Sequence, residues 1–386
     1  MAVNPYAPGA GTEPQVLVGR DLQLAIISAT ADLVEAGRRP QHLVLTGLRG
    51  VGKTVLLKEG IRRLRARDWL CGYFEVRRDV DVGTAVGTIV VAGSSLLPRQ
   101  AKLRRSLSKM KSSIGSVTLS GSPDGTVSLE VARGATREAD IYSEALSVMK
   151  LLAKAARDDG VGVALAIDEV QTFRRTDATI LLQVLEAEEE EDSRVLLIGA
   201  GLPTTPVVLA KARTYAERFR YEPLDNLSSG EARIAIRDPA LALDVKWAKP
   251  ALDRIVTLAG GYPFFLQLYA SEAWDAAGGA KTITLRHVEQ AEPRALSRLE
   301  HGLYATRYDG ATPREKGYLD VMAELASRGS VRSADVANAL GKTLTEVSAV
   351  RDNLIRKGVI HSPASGDLTF SVPGFGEYVL KRVAGR

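Results

Sequence analysis

The segment GLRGVGKT, residues 47–54, follows the short apolar run HLVLT, residues 42–46, and precedes a helical pattern that reaches about Arg67. Glycines let a backbone curl until successive N–H groups point inward at an anion. A helix that begins at such a turn presents its positive end to the same anion. A strand, a glycine-rich turn and a helix in this order therefore predict a phosphate-binding loop.

The residues of this loop have separate predicted roles. Lys53 is expected to reach the β- and γ-phosphates of a nucleotide, and the Thr54 hydroxyl is expected to bind Mg²⁺. The other loop residues are expected to contribute backbone N–H groups: Gly47, Leu48, Arg49, Gly50, Val51 and Gly52.

A second apolar run, VGVALAI at residues 161–167, ends in two carboxylates, Asp168 and Glu169. A phosphate-binding loop needs an acidic partner on a neighbouring strand, and this run supplies one. Asp168 is predicted to hold Mg²⁺ through water. Glu169 is predicted to orient and deprotonate the attacking water.

Short apolar strands alternate with helical patterns through this part of the chain. Leu70–Val76, Val163–Ile167 and Arg194–Gly199 read as strands, and Ile141–Asp158 and Ala178–Glu190 read as helices. This alternation predicts an α/β fold, namely a three-layer P-loop core in which helices cover both faces of a mostly parallel sheet.

The composition is that of a globular protein and excludes several classes. The chain has 386 residues, 45% of them apolar, a formal charge of +5 and a single cysteine, Cys71. One cysteine excludes an internal disulfide framework, and we interpret it as a small apolar residue in a strand. The N-terminus lacks a signal-peptide pattern, and the apolar runs fall short of the roughly 20 residues that span a bilayer, so we expect a cytoplasmic protein.

The two motifs together resemble the AAA+ ATPases and the related STAND signalling ATPases, and more narrowly the ATPases similar to origin-recognition and replication-initiator proteins. The resemblance covers nearly the whole chain and implies ATP or ADP with Mg²⁺ as cofactors. Val18, Gly19 and Arg20 match a VGR(D/E) box whose backbone, in the family, lies against the adenine.

The resemblance extends to two further positions and fails at a third. Arg218, just before the last core strand, stands where AAA+ proteins carry an arginine finger that acts on a neighbouring subunit; the alternative is a surface arginine. Gly260-Gly261-Tyr262-Pro263 resembles the GxP motif of STAND ATPases, whose proline packs near the nucleotide; the alternative is a simple helix break. The run Gly199–Gly201 lacks the polar sensor residue of many AAA+ proteins, which predicts slow turnover.

An insertion at about 85–135 interrupts the core pattern. Val117–Leu119 and Val127–Val131 predict a β-hairpin around Ser122–Gly125. Upstream lies a basic run that is a candidate DNA contact or, alternatively, a solvated helix face or a partner for Glu188–Asp192 of another subunit. Its basic residues are Arg99, Lys102, Arg104, Arg105, Lys109 and Lys111.

The C-terminal part, residues 310–386, resembles a winged helix. Its predicted third helix, Thr343–Lys357, buries Leu344, Val347, Val350 and Leu354. Candidate DNA contacts on this helix are Thr345, Ser348 and Arg351. Acidic residues on the helix and a wing without Lys or Arg argue for weak DNA binding by this domain alone.

The resulting hypothesis is an ATP-dependent switch with slow hydrolysis that associates with double-stranded DNA and assembles into homo-oligomers. The predicted domains are a core at 1–224, a helical lid at 225–309 and the winged helix, with ATP expected between core and lid. The alternative is a STAND-type signalling ATPase whose winged helix binds a protein partner.

Overall fold

The computed structural model describes residues 2–9, 11–76, 117–121, 127–131, 138–188, 194–363 and 366–385. The chain forms two compact units. The sheet unit comprises Arg20–Gly47 and Lys53–Leu224, and the helical unit comprises Met1–Gly19, Leu48–Gly52 and Asp225–Arg386. The predicted basic run at 99–111 and the turn at 122–125 lie outside the described residues.

The sheet unit alternates strands and helices, as the sequence pattern predicts. Two short 3₁₀ turns, Val170–Thr172 and Thr214–Arg218, also occur in it. Its described elements are α1 (Asp21–Glu35), β1 (Leu43–Thr46), α2 (Lys53–Arg65), β2 (Leu70–Glu75), β3 (Val117–Gly121), β4 (Val127–Val131), α3 (Glu138–Asp158), β5 (Val163–Asp168), α4 (Arg175–Glu188), β6 (Val195–Gly201), α5 (Thr205–Ala212) and β7 (Arg220–Pro223).

Five strands form one parallel sheet in the order β2-β5-β6-β1-β7. The strands β1, β5 and β6 are buried along their whole length, because helices cover both faces. Thr46 pairs with Gly201, and Ile167 pairs with Gly199, so the carboxyl ends of these three strands lie side by side. The predicted α/β P-loop core is confirmed.

The predicted hairpin of the insertion is confirmed where the structure describes it. The strands β3 and β4 pair antiparallel, with Val117 opposite Val131. The predicted strand that contains Cys71 is also confirmed, and this cysteine is buried. Burial raises the pKa of its thiol to about 12, which keeps the thiol protonated and unreactive.

The helical unit continues after Asp225 with elements that the sequence predicted only in outline. The segment predicted as a helical lid, 225–309, also contains two short strands, Lys246–Trp247 and Thr282–Ile283, which pair in parallel. The elements are α6 (Ser229–Leu241), β8 (Lys246–Trp247), α7 (Lys249–Ala259), α8 (Pro263–Ala277), β9 (Thr282–Ile283), α9 (Leu285–Arg298), a π-helical turn (Leu299–Tyr304) and α10 (Ala305–Asp309).

The N-terminal segment packs within the helical unit. Tyr6 is buried, its hydroxyl donates to the carbonyl of Ile236 at 2.5 Å, and the indole N–H of Trp247 donates to the same hydroxyl at 2.8 Å. The sequence analysis placed these residues in the predicted core at 1–224. The contacts place them with the helices that follow Asp225.

The last part of the helical unit contains three helices, a small three-stranded antiparallel sheet, and a final helix that the sequence analysis missed. The burial of Leu344 was predicted wrongly: it is 51% exposed, because it begins α13 before that helix reaches the core, whereas Val347 and Leu354 are buried. The elements are α11 (Pro313–Ala326), β10 (Val331–Arg332), α12 (Ser333–Ala339), α13 (Leu344–Arg356), β11 (Ile360–His361), β12 (Asp367–Phe370) and α14 (Phe375–Ala384).

Among the described residues, we find no helix that combines the length and the apolar character needed to cross a membrane.

Candidate nucleotide site

The phosphate-binding loop begins where β1 ends. Gly50 and Gly52 have positive φ angles of 86° and 95°, a backbone region that side chains with a Cβ disfavour. Lys53 is buried, and its ammonium group donates to the carbonyl of Gly47 at 2.8 Å. The N–H of Gly47 in turn donates to the carbonyl of Gly201 at 3.1 Å, which ties the start of the loop to β6.

Thr54 and Asp168 meet at the carboxyl end of β5. The Thr54 hydroxyl donates to Oδ2 of Asp168 at 2.6 Å, and the N–H of Glu169 donates to Oδ1 at 2.8 Å. Burial raises the pKa of the Asp168 carboxyl, and these two hydrogen bonds act in the opposite direction. A hydroxyl beside a carboxylate is the oxygen donor set that Mg²⁺ prefers, so the residues fit the predicted metal site.

Tyr73 adds a polar group that the sequence analysis did not identify. It lies on β2, the strand next to β5, and its hydroxyl donates to Oδ2 of Asp168 at 3.3 Å. Burial, followed by the charge of Asp168, raises the pKa of Tyr73, so the hydroxyl keeps its proton and remains a donor. Sequence analysis missed Tyr73 because a tyrosine in a buried strand is common and does not by itself indicate a functional site.

Glu169 follows β5 in a left-handed backbone conformation, with φ 54° and ψ 38°. The side-chain amide of Gln171 donates to Oε2 of Glu169 at 2.6 Å, and its carbonyl oxygen accepts the N–H of Leu202 at 3.0 Å. Gln171 was also missed. Its position two residues after the acidic pair was the available signal, but a polar residue in a turn is common.

Within the helical unit, Tyr262 lies on the residues of the phosphate loop. Its hydroxyl donates to the carbonyl of Arg49 through a short hydrogen bond, and a Cβ at Gly50 would lie 2.3 Å from that hydroxyl. Gly261 has a φ of 73°, and a Cβ there would lie 2.1 Å from the carbonyl of Leu227. Gly261 therefore permits the turn before Tyr262, and Gly50 leaves room for the Tyr262 hydroxyl, while Pro263 begins α8.

Comparisons with known proteins agree with this geometry. Residues 16–198 match the family described as AAA ATPase domain. This part of the chain is therefore similar to AAA ATPase domains. Residues 301–379 match a family described as a domain of unknown function (DUF8462). The comparison with curated proteins found no match.

Solved structures show the same fold over nearly the whole chain. The Orc1 protein of Aeropyrum pernix in complex with DNA is 16% identical with a TM-score of 0.51, and the match covers 96% of this chain and 95% of that one. The Walker-type ATPase paby2304 of Pyrococcus abyssi is 14% identical with a TM-score of 0.58, covering 95% and 97%. At this identity the likeness shows the fold alone.

The predicted adenine-binding box lies near the start of the region that matches the AAA ATPase family. Gly19 has a φ of 68°, and a Cβ there would lie 2.6 Å from the Glu231 carboxylate. Val18 is half-buried in the core of the helical unit, and Arg20 is buried. Their contact with adenine stays a prediction.

Arg218 lies at the opposite end of the sheet from Asp168 and Glu169. It precedes β7, whose first residue, Arg220, pairs with the first residue of β1, Leu43. The Arg218 side chain is exposed, with its guanidinium 5.9 Å from the ring centre of Tyr215. This position separates it from the site of its own subunit by the length of a strand, so the predicted finger role requires a second copy.

The predicted DNA contacts on α13 face solvent to different degrees. Thr345 is exposed, and the half-buried Ser348 donates its hydroxyl to the carbonyl of Thr345 at 2.7 Å. Arg351 forms an ion pair with Asp352 at 2.9 Å. The basic run that carries the other predicted contacts lies outside the described residues.

Proposed function

We propose that this protein is an ATP- and Mg²⁺-dependent switch that hydrolyses ATP slowly and associates with double-stranded DNA. The observation that carries the proposal is the hydrogen-bonded arrangement of Lys53, Thr54, Asp168 and Glu169 in the sheet unit. It brings one cation, one hydroxyl and two carboxylates to the carboxyl end of a parallel sheet, where ligands of such sheets bind.

Each of these groups has a role in phosphoryl transfer. The loop N–H groups and Lys53 bind the phosphates, and bound Mg²⁺, held by Thr54 and Asp168, would neutralise charge on the phosphate oxygens. Glu169 accepts the proton of the attacking water. Asp168 is the better metal ligand of the two acids, because it is buried and already hydrogen-bonded through both oxygens.

A switch is favoured over a motor by two features. The end of β6, Gly199–Gly201, offers no polar side chain to the reaction, which favours slow turnover. Tyr262 of the GxP-like segment is hydrogen-bonded to Arg49 of the phosphate loop, so a ligand that reorganises this loop disturbs a contact of the helical unit. Turnover near or below the low end of the enzyme range, roughly 1 s⁻¹, is expected.

DNA association is the output that we favour. The positive net charge and the basic run at 99–111 support it, because phosphate neutralisation supplies most nonspecific affinity. One solved structure with this fold is a DNA complex. Residues 310–386 would add a winged-helix contact.

A second candidate is a signalling switch whose C-terminal part binds a protein. The surface of α13 favours it: Arg351 is paired with Asp352, and Arg356 donates to the side-chain oxygen of Asn353. Arginines that are already paired in this way bind a phosphate backbone less strongly.

Binding of duplex DNA, measured with ADP and with a non-hydrolysable ATP analogue at two salt concentrations, separates the candidates. Replacing Arg104, Arg105 and Lys109 together by Ala should flatten the slope of log affinity against log salt by roughly 0.9 for each lost contact. The matched control removes three exposed lysines of the helical unit, Lys246, Lys249 and Lys281, and should leave the slope unchanged. A wild-type protein that binds no DNA at low salt with either nucleotide would leave the signalling switch as the better account.

A further inference from the structure

The carboxyl end of β6 lies between two chemically active strand ends but has no polar side chain. Its last residues are Gly199, Ala200 and Gly201, and its neighbours in the sheet are β1 and β5. Any polar interaction at this strand end must therefore use main-chain groups. Two of these groups are engaged, the carbonyl of Gly201 and the N–H of Leu202.

These groups belong to a continuous hydrogen-bonded path within the sheet unit. The Lys53 ammonium donates to the carbonyl of Gly47 at 2.8 Å, and the N–H of Gly47 donates to the carbonyl of Gly201 at 3.1 Å. On the other side of the same peptide group, the N–H of Leu202 donates to Gln171 at 3.0 Å, and Gln171 donates to the Glu169 carboxylate at 2.6 Å. The path joins the lysine of the phosphate loop to the predicted general base.

We propose that Gln171 is the positioning residue of Glu169: it takes the place of a polar side chain at the end of β6 and fixes the base through the main chain of Leu202. The inference rests on the proposed function, since Glu169 must act as the base. Neither the family resemblance nor the two motifs, the phosphate-binding loop and the pair Asp168-Glu169, supplied this residue.

A glutamine suits this task because one amide group carries both a donor and an acceptor in a fixed plane. Its oxygen is held by a rigid main-chain N–H, so its nitrogen has a fixed direction toward Oε2 of Glu169. A glutamate at this position keeps the acceptor for Leu202 but loses the donor and places a second carboxylate beside the first.

The backbone around Gln171 is built to keep it in place. The 3₁₀ turn is closed by the N–H of Thr172 donating to the carbonyl of Glu169 at 2.8 Å, and Val170 is buried. A Cβ at Gly201 would lie 2.7 Å from Oε1 of Gln171 and 2.2 Å from Oγ1 of Thr205. Glycine at 201 is thus the residue that admits the glutamine.

The first test is Gln171→Glu in the full-length protein, assayed for ATP hydrolysis and for ATP binding by calorimetry. We expect kcat to fall about 10- to 100-fold, because displacing a reacting group by roughly 1 Å lowers the rate by up to about that factor. KM and the ATP dissociation constant should stay within about twofold, because the interaction acts on the chemical step. Gln183→Glu on α4, half-buried in the same unit, is the matched control and should leave kcat unchanged.

A kcat that is unchanged or raised in Gln171→Glu would overturn the proposal, a rise meaning that Gln171 restrains the base. A loss of ATP affinity as large as the loss of kcat would also overturn it, as would a fall in melting temperature that accounts for the lost activity. A wild-type protein that hydrolyses no ATP at all removes the proposed function and this inference together. Normal hydrolysis by both wild type and variant removes the inference alone.

The second test approaches the same amide from the opposite side. Gly201→Ala leaves Gln171 unaltered but pushes a methyl group against its oxygen, so kcat should again fall with little change in KM. Because both substitutions break one path, the double variant should be no slower than the slower single variant. A double variant whose loss equals the product of the two single losses would show that Gly201 and Gln171 act independently, which contradicts the proposal.

Discussion

The two ends of the five-stranded sheet differ in the polar side chains that they carry and in the surroundings of those side chains. The ionisable side chains of Lys53, Asp168 and Glu169 lie at the carboxyl end. They are hydrogen-bonded to Gly47, Thr54 and Gln171, respectively. At the amino end, His42 is buried among aromatic rings, with its ring 4.9 Å from that of Phe219, and its Nδ1 accepts the N–H of Leu197 at 3.2 Å. Burial lowers the pKa of His42 to about 4, so its ring stays neutral at physiological pH.

The difference follows from what each end of a parallel sheet offers. The carboxyl ends of β1 and β5 meet the N-terminus of α2, whose free N–H groups and dipole attract anions, so charged groups gain ligands and partners there. The amino ends meet the carbonyl ends of helices. There the guanidinium of Arg194 donates to the carbonyls of Val34 and Glu35 at the end of α1, both at 3.0 Å. The proposed function places the chemistry at the carboxyl end, so substitutions there should affect activity, whereas substitutions at the amino end should affect stability.

The largest effect on ATP binding is expected at Lys53. Replacing it by Ala removes the main cation for the phosphates, and the loss of a buried charged partner costs about 2–5 kcal/mol, which is roughly 30-fold or more in affinity. Calorimetric titration with ATP measures this loss. Lys58→Ala, on the same helix with its ammonium 5.8 Å from the ring centre of Tyr73, is the control and should bind ATP normally. Unchanged affinity in Lys53→Ala would remove the nucleotide site from this end of the sheet.

Glu169→Gln should separate binding from chemistry at the same end. Loss of a general base lowers kcat by roughly 10² to 10⁴, while ATP affinity stays near that of the wild type. Single-turnover hydrolysis and calorimetry give the two values. Glu75→Gln removes another carboxylate from the carboxyl end of the sheet, one that pairs in register with Asp168, and should retain turnover. Equal activity in both variants would mean that Glu169 is not the base.

At the amino end the expected effect is on stability and depends on pH. The folded pKa of His42, about 4, lies below its ordinary value of 6.5, so the unfolded chain takes up the proton first as the pH falls. This group alone should therefore cost about 2 kcal/mol of unfolding free energy between pH 7.5 and pH 5. His42→Asn keeps an acceptor near the Leu197 N–H and should lack that loss.

Denaturant unfolding of wild type and His42→Asn at both pH values measures the difference. Burial raises the pKa of Glu188 to about 7, which acts in the opposite direction in both proteins and cancels in the comparison. The exposed His301, replaced by Asn, is the control and should retain the wild-type pH dependence. If the unfolding free energy of wild type and of His42→Asn changed equally with pH, the His42 ring would not be kept neutral by burial.

The smallest effect is expected for Arg218 in the dilute protein. Because it lies a strand length from Asp168, Arg218→Ala should leave hydrolysis by separate subunits unchanged, and should lower it only at concentrations where light scattering detects oligomers. Arg220→Ala, at the start of β7, is the neighbouring control. A loss of activity in the monomer would place Arg218 in its own subunit's site, against the geometry of the sheet.

Contiguous motifs made the sheet unit predictable. The phosphate loop, the pair Asp168-Glu169 and the strands before them are local in sequence, since backbone curvature and strand burial select the residue types directly. Tyr73, Gln171 and Tyr262 escaped because their roles depend on residues 95, 31 and 213 positions away. The exposed Leu344 was misassigned because helical periodicity gives a face but not where along the helix the core begins.

By itself, the sequence determined the α/β class, the phosphate-binding loop, its acidic strand and the glycine turn before Pro263. These properties follow from short-range rules on backbone conformation and burial. The tertiary structure decided which strand ends lie side by side, and hence that the glycines ending β6 sit within reach of Gln171, and that Arg218 stands at the far end of the sheet. Strand order is fixed by long-range packing, and no local pattern of residues encodes it.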